Sequence, residues 1–236
     1  AFGRASVPSG ASTGEREAVE LRDKNNPAFH NRGVYGAINN IHSIITPALI
    51  GMSPFNIMEI DKTMIKLDGT ANKSRLGANS ILAVSLANIH AGAAHYKQHL
   101  YEYIFKYINS NQYKNYSVLN MPIPMMNILN GGSHADNNVE IQEFMIMPIG
   151  FSSFSNALRA GVEIFHSLKD ILKKKNYSTT TGDEGGFAPT LRSNEEAIEL
   201  ILEAINLANY KPGKEICLSL DVAASELFNR ENSLYS

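Results

Sequence analysis

Seven residues of this chain have the type and setting for chemistry, and five are carboxylates or neighbours of one. The stretch GDEGGFAP (182–189) sets Asp183 beside Glu184 and follows them with two glycines. Glycine pairs hold neither strand nor helix well, so the segment is an exposed acidic turn or the rim of a site. If residues 182–184 are extended, the two carboxylates point to opposite faces and only one enters a common site. A carboxyl at a desolvated strand end has its pKa raised and suits a proton donor.

Asp221 closes the apolar run EICLSL. An aspartate there is expensive to bury unless it is paired or binds a cation, and hard oxygen ligands favour Mg²⁺. The alternative is an N-cap for the segment that follows. Gln142 and Glu143 stand side by side within 139–147, where one of them must face inward. A glutamate so placed needs a partner. His134 lies in the loop NGGSHADNN, where a histidine is ordinarily solvated or capping; no lysine follows GGS in phosphate-loop spacing. PSGASTG (8–14), with Ser12 at its centre, is a surface loop or a small-residue lid over an anionic substrate.

The elements that must position these residues are legible in outline. Apolar residues recur at helical spacing over 34–48; a second helix is expected from Pro54 to Gly69, and a close-packed one over 74–96. Residues 106–117 are polar, lack periodicity and read as a linker. Strands are expected at 123–129, at 139–148 and from 215 onward. A helix face runs from Phe154 to Leu172, and Ser193 to Glu196 has the form of a capping box. Strands interleaved with helices point to an α/β domain with its site at strand C-termini.

Composition sets the outer bounds. With 44% hydrophobic and 19% charged residues in 236, the chain has an ordinary globular make-up. A net charge of −2 argues against a nucleic-acid partner, and one cysteine, Cys217, rules out an internal disulfide and fits a reducing cytoplasm. No apolar run reaches the length of a membrane span, and no signal peptide opens the chain.

Five stretches together resemble the enolase family of glycolytic dehydratases in its bacterial form. They are SVPSGASTGEREAVELRD, LDGTANKSRLGANSILAVSLAN, MPIPMMNILNGGSHADNNVEIQEFMIMP, GDEGGFAP and LDVAASE, in the family's order and spacing. The resemblance implies an α/β architecture in two parts. Residues 1–112 would form the N-terminal α+β domain without its first strands, and 113–236 the first part of a modified TIM-like (β/α) barrel. The start at Ala1 and the stop at Ser236 fit a partial chain.

The resemblance also implies Mg²⁺-dependent interconversion of 2-phosphoglycerate and phosphoenolpyruvate. Carried over by motif, Glu184 is the acid that protonates the departing hydroxyl, and Asp221 is a ligand of one Mg²⁺. Ser12 binds a second Mg²⁺ when its loop closes, while His134, Gln142 and Glu143 contact the substrate or order the water and hydroxyl around it. A lysine base, two further carboxylate ligands and the phosphate contacts are expected after Ser236, so the chain alone is expected to be inactive. The family further implies a homodimer or higher homo-oligomer at full length, in the cytoplasm and also at the cell surface or secreted. The rival readings are another acid dehydratase of the same superfamily and a non-catalytic surface-binding fragment.

Overall fold

The computed structural model describes residues 1–10, 14, 16–110 and 118–235, and of His134 only the backbone. These fall into two compact units, Ala1–Leu119 and Asn120–Ser236.

The first unit is helical. The apolar spacing over 34–48 gives one rod with an internal change of winding: α1 (Tyr35–Asn40), a π turn (Ile41–Ile45) and α2 (Thr46–Leu49). Pro47 has no N–H to give to the turn before it, and a π turn is a common local answer to such an interruption. Helix α3 (Ile57–Asp68) ends at Gly69 in the left-handed conformation, as the glycine predicted. Helix α4 (Ala78–His95) is the small-residue helix, and α5 (Leu100–Ser110) follows it. Five residues of the expected linker are therefore helical. The aromatic face of α5 secures them, with Tyr103 buried against Ile57 and Ala93 and Tyr107 packed beside it.

Two of the family-like stretches clamp together in this unit. Val19 N–H donates to Asn72 O at 2.7 Å and Ala78 N–H to Val19 O at 2.8 Å. The Asn79 amide meets both the N–H and the carbonyl of Leu21 at 3.1 Å. Buried Asp68 accepts from Leu76 N–H at 2.7 Å and Thr70 N–H at 2.9 Å, which closes the loop LDGTANKSRL on itself.

The second unit is built on a three-stranded sheet: β1 (Met126–Asn130), β2 (Glu143–Pro148) and β3 (Ile216–Asp221), in that order. Both pairings are antiparallel, which departs from the all-parallel (β/α) plan. Helix α6 (Phe154–Lys174) packs on β2, and α7 (Asn194–Leu207) packs against α6. Ile164, Leu168 and Leu172 of α6 and Ile201 and Ile205 of α7 join Leu129, Phe144 and Ile146 in one buried core. Both helices are capped by the serine that precedes them, Ser153 accepting from Asn156 N–H and Ser193 from Glu196 N–H. The Glu196 carboxylate of the expected box reaches Arg192 N–H, at 2.7 Å.

Strand β2 is shorter than the alternation over 139–148 suggested. Residues 139–142 form a loop instead: Gly132 N–H donates to Val139 O and Gly131 N–H to Gln142 O. The last apolar run also stops early. After Asp221 the chain turns into α8 (Ala224–Leu227), and a two-residue pair follows, β4 (Phe228–Asn229) with β5 (Leu234–Tyr235). Among the described residues no helix is long and apolar enough to cross a membrane.

Candidate active site

Strand register gathers the site. Because β2 runs antiparallel to both neighbours, its first residue lies beside the last residues of β1 and β3. Glu143 is paired with Asn130 on one side and with Asp221 on the other. One end of the sheet thus carries Asn130, Glu143 and Asp221 in a row.

The GDEGG segment is hung on the outer edge of β1. Phe187 N–H donates to Ile128 O at 3.0 Å, and Asn130 N–H donates to Phe187 O at 2.8 Å. Between Thr181 and Phe187 the chain folds back on itself, with Gly182 N–H on Gly186 O and Gly185 N–H on Gly182 O. Residues 182–184 are therefore a turn and not an extended run, and Asp183 and Glu184 are both exposed. The glycines are required by geometry. Gly185 has φ +85°, and a Cβ on Gly186 would overlap Asn130 Oδ1 and come within 2.7 Å of the Leu129 backbone nitrogen. Larger residues would force the turn away from β1, and Glu184 with it.

At the turn's tip Glu184 accepts from Asn127 Nδ2 at 3.3 Å, and it also hydrogen-bonds Glu143. Two carboxyl groups can share a hydrogen bond only by holding a proton between them. Accordingly the Glu143 carboxyl is pushed up from 4.5 to about 7 by that bond to Glu184, by burial and by the negative charge of Glu184 and Asp221. A hydrogen bond with Gln142 pulls the other way. Gln142 is 5% exposed, and its Oε1 accepts from Ser133 Oγ at 3.2 Å.

Asp221 stands exposed at the end of β3, where its Oδ1 accepts from Ala223 N–H at 3.0 Å. That bond closes a local turn two residues long; the N-cap position of α8 is Ala223, so Asp221 is not the helix N-cap. His134 ends the short turn Gly132–His134 in the same loop as Ser133. Ser12 lies outside the described residues. Lys211 and Lys214 precede β3, at the end of the strand opposite Asp221.

Sequence reasoning missed the asparagines. Asn137 donates to Asn130 O and Pro189 O, Asn138 exchanges hydrogen bonds with Leu191, and Asn194 Oδ1 accepts from Glu140 and Ile141 N–H. They fasten the loop of His134 and Gln142 to the segment after GDEGG. Asn130, fully buried, has neither amide atom hydrogen-bonded. The available signal was two asparagines inside the apolar strand MNILN, where each must be satisfied or used.

Three carboxyl groups, Glu143, Glu184 and Asp221, thus lie at one end of the sheet in an α/β protein. Residues 1–104 match the model of the enolase N-terminal domain, and residues 118–236 match that of the enolase C-terminal TIM barrel domain. The chain belongs to the enolase family, a family of lyases.

Proposed function

We propose that this chain carries the acid side of an enolase of the bacterial form, which dehydrates 2-phosphoglycerate reversibly to phosphoenolpyruvate. The observation that supports it best is the hydrogen-bonded Glu143–Glu184 pair set beside Asp221. The pair holds a proton near neutral pH, as a group that must protonate a leaving hydroxyl requires. In this reading Glu184, at the exposed tip, delivers that proton and hydroxide departs as water. Glu143 and Gln142 order the hydroxyl and the water beside it, and His134 closes the substrate from its loop. Ser12 belongs to the loop that closes over the anion.

The family generally uses Mg²⁺, and the donor set suits it: carboxylate oxygens, partly exposed, crowded enough that one of them retains a proton for want of a positive charge. Among the described residues no group of three or more acidic, histidine or cysteine side chains forms a cage. Mg²⁺ ordinarily takes one or two carboxylates and completes its shell from water and substrate. Asp221 would hold it through the oxygen not bonded to Ala223. Bound there, the ion would supply positive charge against the dianion that develops when the proton beside the substrate carboxylate is lost.

The proton-abstracting base is taken to lie on strands that continue the sheet. Among the described residues no strand pairs with the outer edge of β3, and Leu220 of that strand is exposed. An open apolar edge is the kind that further strands close. The domain boundary is taken at 112/113, and the working form as a cytoplasmic homo-oligomer. The experiment is the conversion of 2-phosphoglycerate, followed by enol-ester absorbance in the full-length protein that carries this chain, with and without Mg²⁺. Loss of turnover on chelation supports the reading; turnover of another sugar acid in its place overturns it.

A further inference from the structure

Glu184 sits on a turn that cannot by itself orient a side chain. Gly185 is in the left-handed region with open space around it, and the tip is exposed. From the sheet, Asn127 reaches the carboxylate with its Nδ2. The strand is distorted at that residue. Pairing with β2 runs Asn127 to Met145 and then Leu129 to Phe144, so Ile128 is skipped. Such a bulge re-aims the neighbouring side chain, and bulges gather next to active sites. The skipped Ile128 turns its carbonyl to Phe187 N–H, so one distortion both anchors the turn and presents Asn127 to it.

The other end of the same amide is unfavourable for stability. A carboxylate only accepts, so Asn127 must show Glu184 its Nδ2, which leaves Oδ1 buried without a hydrogen-bond partner. An apolar residue of similar size would leave no such atom. An amide with one end bonded to Glu184 and the other buried without a partner among the described residues fits a role in placing Glu184 better than a role in holding the fold.

Resting on the enolase-type reading, we propose that Asn127 is a positioning residue for Glu184. Its N–H fixes one carboxylate oxygen to the sheet and leaves the other aimed for proton transfer. Nothing in the reaction passes through Asn127 itself.

The test is Asn127→Leu, read in two ways. Amide hydrogen exchange is measured at Gly182 and Gly185 of the turn and at Phe144 and Ile146 of β2. Exchange at the turn should rise about tenfold with β2 unchanged and the melting temperature equal or higher. In the full-length protein, kcat for 2-phosphoglycerate should fall about 100-fold with KM little changed, the scale expected of a misplaced catalytic group. In a Glu184→Ala background the same substitution should have no further effect on turn exchange.

An unchanged turn, a turn that loosens together with β2, or an unchanged kcat would each overturn the proposal. Should Asn127→Leu fail to fold, the isosteric Asn127→Asp removes the donor and predicts the same loosened turn. If the unmutated full-length protein does not turn over 2-phosphoglycerate, the enolase reading fails, and exchange at the turn still decides whether Asn127 holds Glu184.

Discussion

Glu143 and Asp221 are register partners across β2 and β3, each at the end of its strand nearest the GDEGG turn. Like charges directly opposite on a sheet destabilise it, so this pairing works against folding unless a proton or a cation intervenes. With Glu184 hydrogen-bonded to Glu143, three acidic side chains meet where the backbone alone would tolerate almost any residue.

The first prediction concerns pH. Glu143 titrates at about 7 in the folded chain against 4.5 ordinarily, so the folded state binds more protons between those values. Stability should therefore fall as pH rises through that window. Glu143→Gln should remove this part of the pH dependence and leave the chain more stable than the parent above neutrality. Urea unfolding at about pH 5 and about pH 8 measures it; equal slopes in parent and variant would contradict it.

Glu196 predicts the opposite sign. Its carboxylate is held down to about 2 by Arg192, through side chain and backbone N–H, with Tyr177 O–H adding a bond at 2.9 Å. The stabilisation is complete above 4.5 and lost as pH falls towards 2. Glu196→Gln should lower stability by roughly 2 kcal/mol at neutral pH, as for other buried, charge-assisted hydrogen bonds. The deficit should shrink in acid, and a deficit independent of pH would contradict the assignment.

Much of this site was legible in sequence, and the part that was not has a physical reason. GDEGG marked a slim acidic turn because Gly185 and Gly186 are needed by torsion and by contact, and both requirements leave a residue-level trace. The sequence pointed to Glu184 as the proton donor and did not point to the raised carboxyl of its partner Glu143. Burial of a strand-end residue and its cross-strand partners depend on register, which no local pattern states. Likewise residues 139–142 alternate like a strand but are drawn into a loop by Gly131 and Gly132, and α5 runs into the expected linker because Tyr103 and Tyr107 find a tertiary surface. The direction of strand pairing, antiparallel throughout the sheet, was not readable at all.

Gly186→Ala tests the turn's seat on β1. The new methyl meets the Asn130 amide and, within 2.7 to 2.9 Å, the backbone of Ile128 and Leu129, which cannot rotate away. A loss on the order of 3 kcal/mol is expected, as for overpacking against backbone. Gly213→Ala, with open space and a φ of +74° that Gly186 does not share, should lose about 1 kcal/mol from its torsion alone. Equal losses from the two would contradict the close contact.

Asp221→Asn tests the cation's seat. The amide can still accept from Ala223 N–H, so the turn should persist and the melting temperature without Mg²⁺ should hold or rise. Stabilisation by Mg²⁺ should then weaken, measured as the shift in melting temperature per tenfold rise in Mg²⁺. An undiminished shift would place the ion elsewhere.

The measurement that bears most directly on the central claim is Glu184→Gln in the full-length protein, assayed for two reactions on the same substrate. Glutamine keeps the shape and still accepts from Asn127, but it has no proton to give. Dehydration of 2-phosphoglycerate should fall by about 100- to 10,000-fold, the usual contribution of a general acid. Exchange of the substrate's C2 proton with solvent should continue, because it needs only the base. Near-normal dehydration, or loss of both reactions together, would contradict the assignment of Glu184 as the acid.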